Sequence, residues 1–259
     1  MDLKTAQERF RQRSAVKQQS LETIIPQLII GGEWNSTIRF FNRGSASIPR
    51  TEFYFVDNVG NLMEVTFQVV TVSTTGQLTK GEPVTTTSGY FFLAPGYGLE
   101  ATFTGGAQTQ FGHVLIGACV NGSCSTAGLY GEVILRNRNS TRPDFESIFP
   151  FEQPANLQYM PFDHRDGFTS VLYLVSPLSA STVTLDFRNL ADRTIRRLTI
   201  SMADGESKIL SLHVLAPETI GALGTLVINS GSAFVVPTAL RINPSNSFSP
   251  VRAYIPSPN

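Results

Sequence analysis

The 259-residue sequence predicts an all-β protein built as two β-sandwiches in tandem. Three observations carry this expectation. Nearly every segment from Thr23 onward reads as strand, turn residues punctuate those segments, and the second half repeats the pattern of the first. Residues 1–22 stand apart. Between Met1 and Leu21 there is no Gly or Pro, and Gln, Lys, Arg and Ala dominate, a composition that favours helix. Leu3, Ala6, Phe10 and Val16 form only a thin apolar stripe along it. A short polar, helix-prone N-terminal segment is therefore expected ahead of two sandwiches spanning 23–154 and 155–259.

The strands follow from composition. Ser36–Phe41, Thr51–Val56, Met63–Thr71, Tyr90–Leu93 and Gly131–Arg136 are rich in β-branched and aromatic residues that suit a pleated, half-buried surface. Asp57-Asn58-Val59-Gly60-Asn61 lies between two such runs and predicts a hairpin turn. Spacing of this kind suits sandwiches rather than βαβ units. No helical periodicity stands out in the body of the chain.

The domain count rests on an internal repeat. Glu33–Phe40 parallels Gly167–Leu174, an aromatic residue followed by a strand, and each is followed by an Ala-Ser pair, Ala46-Ser47 and Ala180-Ser181. Thr51–Phe55 then parallels Leu185-Asp186-Phe187, and Val133–Asn137 parallels Thr238–Asn243. The first copy is the longer, with insertions expected around Val70–Ser88 and Gly105–Thr126. The break between copies is expected in the Pro-flanked connector Pro150–Asn156.

These residues carry a resemblance. The aromatic-led opening strand, the Asp-Asn-x-Gly turn, the Ile134-Leu135-Arg136 strand, Arg142–Glu146, and Met160-Pro161-Phe162-Asp163 before Gly167-Phe168 resemble tandem immunoglobulin-like β-sandwich proteins of environmental bacteria, notably Acidobacteria. The resemblance spans roughly residues 24–256 and rests on strand patterns. It implies an exported modular protein with no assigned activity, and it brings no functional residues to carry over.

Composition narrows the function. Charged residues make up 15% of the chain, below the usual ~25%. Twenty basic and twenty acidic residues leave no net charge, so electrostatics offers no support for a nucleic-acid partner. No apolar run approaches the ~20 residues of a membrane span. No secretory signal is visible at the N-terminus, so export would require a signal removed or lying outside this chain. The argument for export is Cys119-Val120-Asn121-Gly122-Ser123-Cys124, which holds both cysteines around an Asn-Gly pair suited to a type I′ hairpin turn. In that hairpin Cys119 and Cys124 form a non-hydrogen-bonded pair with Cα atoms about 4.5 Å apart, within reach of a disulfide. Disulfides belong to oxidising compartments. Two reduced cysteines on facing strands of a cytosolic protein are the alternative.

Catalytic chemistry finds little support. His113 and His213 sit in apolar strand-like text, and no Gly-x-Ser-x-Gly elbow is present. Asp163-His164-Arg165-Asp166 gathers two carboxylates and an imidazole in a loop, so Asp163, His164 and Asp166 are candidate ligand-binding residues; a solvated turn is the plainer reading. The turn Asp57–Asn61 lacks the glycine and glutamate positions of a calcium loop. Asp144 and Glu146, two residues apart on one strand, lack a second segment to flank a sugar ring. Sugar rings stack on exposed aromatic faces, which makes Tyr97, in the loop Pro95-Gly96-Tyr97-Gly98, and Trp34 the candidates for a carbohydrate site.

The expected protein is thus all-β, two tandem immunoglobulin-like sandwiches behind a polar N-terminal segment. Its expected role is that of a non-enzymatic structural or interaction module at a bacterial cell surface or in the secretome, with no cofactor and no metal. Its expected partners are a protein or glycan at that surface, or further copies of itself. The alternatives are a carbohydrate-binding or adhesive module and a subunit of an extracellular filament or surface layer.

Overall fold

The computed structural model describes residues 23–118, 128–139 and 142–256. These divide into two compact units, residues 23–57 with 61–153 and residues 58–60 with 154–256. The N-terminal segment and the Cys119–Cys124 hairpin lie outside the described residues. Both units are built of antiparallel strands, and all-β sandwich architecture accounts for nearly all of the described chain.

In the first unit the strands are β1 (Ile24–Ile30), β2 (Trp34–Asn42), β3 (Ile48–Asp57), β4 (Val65–Val72), β5 (Leu78–Lys80), β6 (Val84–Thr86), β7 (Ser88–Leu93), β8 (Gly98–Thr104), β9 (Gln110–Ala118), β10 (Leu129–Asn139) and β11 (Arg142–Pro150). One sheet runs β1-β9-β3-β7. The other runs β11-β10-β2-β8-β4-β5, with β6 also on β4. Alternation shows the expected pleat, since Ser36, Ile38, Phe40 and Asn42 of β2 are buried and the residues between them are not. β1 is buried along its whole length.

The second unit contains β12 (Leu157–Asp163), β13 (Thr169–Val175), β14 (Ser181–Asn189), β15 (Thr194–Met202), β16 (Ser207–Ser211), β17 (Leu223–Asn229), β18 (Val236–Ile242) and β19 (Phe248–Arg252). A single short helix, α1 (Leu212–Leu215), and a 3₁₀ turn, Pro217–Thr219, stand between β16 and β17. The sheets run β12-β17-β14-β15 and β16-β13-β18-β19. Met160, Phe162, Leu185, Phe187, Leu226 and Ile228 of one sheet meet Leu172, Leu174 and Ala239 of the other in one core, and none is more than 2% exposed. α1 adds Leu212 to that core, and the residue that follows the helix adds Ala216.

Numbered within the second unit, strand pairs are 1–6, 3–6 and 3–4 in one sheet and 2–5, 2–7 and 7–8 in the other. The first unit has the same order when β1, β2, β3, β7, β8, β9, β10 and β11 take those eight places. The three segments paralleled in sequence occupy matching places: β2 with β13, β3 with β14, β10 with β18.

Two sequence expectations change. In an immunoglobulin sandwich the first and second strands are neighbours in one sheet. Here the first pairs with the sixth and the second with the seventh, and only the 3–4 and 7–8 connections stay within a sheet, an order of the Greek-key jelly-roll kind. Local strand patterns are the same in both folds, because order is fixed by pairings between segments far apart in the chain. The hairpin turn at Asp57 is present, with the Asn61 N–H donating to Asp57 Oδ1 at 2.7 Å and an antiparallel bridge of Val56 with Leu62 closing it, before the chain passes from β3 of one sheet into β4 of the other.

The insertions also shift. The first copy's main extra segment is residues 58–87, which contains β4–β6 and extends one sheet past β8. The same 3–4 connection in the second unit is the tight turn 190–193, where Asn189 Oδ1 accepts from the Ala191 and Arg193 N–H groups. Gln110–Ala118 is a common strand, β9, rather than inserted sequence.

Candidate ligand-binding site

The two units differ most at one gap between their sheets. In the second unit this gap lies between the edge strands β15 and β16. The chain from β16 to β17 crosses it, placing α1 on β13 and β16 and the 3₁₀ turn on β15. Leu212 and Ala216 enter the core there and are fully buried. The corresponding strands in the first unit are β7, which is an edge, and β8, which β4 continues, and there the connection from β8 to the next strand is only Gly105–Thr109. No helix follows β8. The inserted strands β4 and β6 flank the gap instead, and a cavity of about 320 Å³ remains behind them.

The cavity is lined by Phe40, Phe53, Phe55, Phe67, Phe91 and Phe103, with Ile38, Val69, Leu99, Ala101 and Val114 between them. The rings form a continuous set. Phe55 lies 5.4 Å from Phe103 and 5.6 Å from Phe67, Phe67 lies 5.3 Å from Phe103, and Phe53 lies 5.3 Å from Phe55. Such tilted and edge-on contacts suit the ring quadrupole. Gly89 of β7 is what lets Phe53 lie across the edge strand, because a Cβ at that position would stand 2.5 Å from the Phe53 Cζ. The rim holds Val84, 49% exposed, and Tyr90, 62% exposed, together with the polar groups of Thr86 and Ser88.

No side chain lining this cavity carries a carboxylate, ammonium, guanidinium or imidazole. A sealed, dry void of 320 Å³ would cost on the order of 8 kcal/mol at ~24 cal/mol per Å³, as much as the whole stability of many domains. An opening to solvent avoids part of that cost, and an apolar occupant avoids more of it. The size lies at the lower end of small-molecule sites, and so does the balance of many apolar groups with few polar ones at the rim.

The sequence-derived candidates do not converge. Trp34 begins β2 opposite Asn137, whereas Tyr97 follows β7, its carbonyl accepting from the Asn42 N–H at the other end of β2. Eight residues of strand separate those ends, about 27 Å. Tyr97 is 39% exposed, as its loop implied, but the two aromatics cannot stack on one short sugar.

Asp163, His164 and Asp166 likewise serve three separate purposes. Asp163 accepts from Arg165 Nε at 2.9 Å and from Arg241 Nη2 at 2.8 Å. The hydrogen bonds from Arg165, with the nearby Arg241 charge, hold its carboxyl down at about 2 in spite of partial desolvation. Arg241 also lies 3.9 Å over the Phe168 ring. His164 turns inward, with its Nδ1 2.8 Å from Thr219 Oγ1. The Thr219 hydroxyl donates to the Ala216 carbonyl at 2.7 Å, so Nδ1 carries the proton and Nε2 does not. Burial, with the His213 charge, lowers the His164 pKa to about 4. Asp166 (φ 52) and Gly167 (φ 79) are the central pair of a tight turn closed by Phe168 N–H on the Arg165 carbonyl, a type I′ geometry. Among the described residues no three His, Cys, Asp or Glu side chains gather as a metal site.

Other polar residues are also engaged. Glu100 and Glu132 flank Arg39 at 2.7 and 3.5 Å, Glu146 pairs with Arg136, and Asp144 lies 3.3 Å from Arg138. His113 is completely buried on β9, and desolvation lowers its pKa to about 3. His213 lies in α1, not in a strand, with Nδ1 3.1 Å from Ser211 Oγ. A mixed groove of about 410 Å³ beside Asp163 is lined by Phe162, Ser170, Arg241 and β19. Nothing in the sequence marks the phenylalanines of the first unit as a site. Their alternation marks them as interior residues, and nothing in a strand pattern marks the absence of a plug.

Comparison with known proteins adds no function. No protein-family model and no curated protein matches the chain. Among solved structures it is similar to vicilin from Solanum lycopersicum (tomato), with 6% identity over 82% of this chain and 72% of that one and a TM-score of 0.22. It is similar also to the 7S globulin of Momordica charantia, with 9% identity over 84% and 74% and a TM-score of 0.23.

Proposed function

We propose that the chain is a non-enzymatic interaction module of an extracellular or cell-surface bacterial protein, in which the first sandwich is the recognition unit and the second a structural copy. The observation that carries this reading is the asymmetry of the duplication. One strand order is used twice, and one copy adds β4–β6 and an apolar cavity at the gap which Leu212 and Ala216 fill in the other. A site whose lining holds no carboxylate, ammonium, guanidinium or imidazole suits binding better than acid–base chemistry. The low charge and the Cys119–Cys124 spacing support an oxidising compartment.

A thermal-shift screen of the full chain against lipids, glycans and peptides tests the reading. Its expected outcome is a stabilising compound recovered chemically unchanged, whose effect is lost in Val84→Arg and kept in Ile209→Glu of the second unit. A compound that is converted, or one indifferent to the Val84 substitution, contradicts it. The filament alternative is less well supported, because the edge strand β15 carries Arg196 and Arg197, charges that discourage edge-to-edge pairing. Arg196 is also paired with Glu218 at 3.4 Å.

A further inference from the structure

We infer that the cavity of the first unit binds a medium-length hydrocarbon chain with a single polar end. This deepens the reading of that unit as the recognition unit. At about 30 Å³ per water-sized group, 320 Å³ holds about ten non-hydrogen atoms. Six phenylalanine side chains and the aliphatic groups between them offer such a chain no hydrogen-bonding partner along its length. Polar groups occur where the chain would emerge, at Thr86 and Ser88 beside the exposed Val84 and Tyr90. The Thr86 hydroxyl donates to the Ser88 carbonyl at 2.6 Å and accepts from the Ser88 N–H at 3.2 Å, which leaves it one lone pair for a donor head group. No cation is among the residues that line the cavity, and the Arg50 guanidinium lies at the rim, 3.9 Å over the Tyr90 ring, so the chain is recognised by the cavity and the head group by the rim.

Ala101 of β8 is the most direct probe, because it is buried on the cavity wall and has room in front of it. The full chain is titrated in a calorimeter with decanol and, separately, with decanoic acid. Saturable one-to-one binding of both is expected, weakened at least about tenfold in Ala101→Phe and unchanged in Tyr97→Ala. Val84→Trp, at a half-exposed rim position, covers the case in which the first variant fails to fold, and it too should weaken binding. The titration is repeated after incubation with didecanoyl-phosphatidylcholine vesicles and their removal, which separates the sources. Loss of decanol binding after that incubation names a membrane lipid as donor of the chain, and unchanged decanol binding names the free compound. No saturable binding to the wild-type chain, or binding unchanged in folded Ala101→Phe and in Val84→Trp, overturns the inference. A screening hit of another chemistry that still maps to Val84 would leave the recognition unit standing and this ligand class rejected.

Discussion

The second unit closes the gap between its sheets with Leu212 and Ala216, while the first flanks the same gap with three extra strands and keeps a space among six phenylalanines. Both solutions follow from connection length. A jelly-roll sandwich leaves its two edge strands splayed, and something must cover the apolar interior between them. An eleven-residue connection, residues 212–222, has the length to place a helix turn there, and a five-residue one, 105–109, has not. The longer 3–4 connection of the first unit compensates by supplying strands, but a strand added beside the gap covers it less completely than a side chain inserted into it. A duplicated fold can thus acquire a site without a change of core residue type, by moving chain length from one connection to another.

Core truncation should show the contrast most strongly. Phe187→Ala removes a fully buried ring from the packed core of the second unit and should cost about 3–5 kcal/mol in denaturant unfolding. Phe53→Ala removes a half-buried ring that already faces open space, and about 1–2 kcal/mol is expected. Equal losses would mean that both interiors are packed alike.

Acid should weaken both units by way of their buried histidines. His113 has a pKa near 3 in the fold and His164 near 4, against about 6.5 when unfolded, so each is neutral in the native state and the unfolded state takes up the proton first. Their contribution is complete above pH 6.5 and declines as the pH falls toward 4 and then 3. Asp163, held near 2, and Asp186, below its usual range, act in the same direction at lower pH, since native carboxylates must be protonated. Thermal unfolding followed from pH 7.5 to 4 should therefore fall steadily, and His113→Leu should flatten the part due to the first unit. A wild-type profile that is flat between pH 7 and 5 would contradict the assignment.

A smaller contrast lies in the charges outside the cores. Burial raises the pKa of Asp186, but hydrogen bonds from Arg197, Thr194 and Arg188 outweigh it. These bonds are 2.8–2.9 Å long, so Asp186→Asn should cost about 1–3 kcal/mol. Glu100→Gln breaks a half-exposed pair with Arg39 and should cost no more than about 1 kcal/mol, less in high salt.

The sequence discloses the parts of this architecture that depend on neighbours in the chain. β-Branched and aromatic residues in Trp34–Asn42 and Thr169–Val175 reveal strands, and because both copies retain them, the repeat is visible as well. Strand order is not visible, since pairs such as β1 with β9 are set across some eighty residues by which apolar faces meet. Asp163, His164 and Asp166 show why sequence adjacency misleads at a site: strand alternation and a left-handed turn send three neighbours to an ion pair, a core and a surface loop. The cavity is the least legible feature, being defined by what the Gly105–Thr109 connection does not supply.

Xenon binding to crystals of the full chain tests the comparison most directly, because xenon enters dry apolar space and little else. Xenon density among Phe53, Phe55, Phe67 and Phe103, with none beside Leu212 and Ala216, is the result the account predicts. Xenon in both gaps, or none in the first unit, would contradict it.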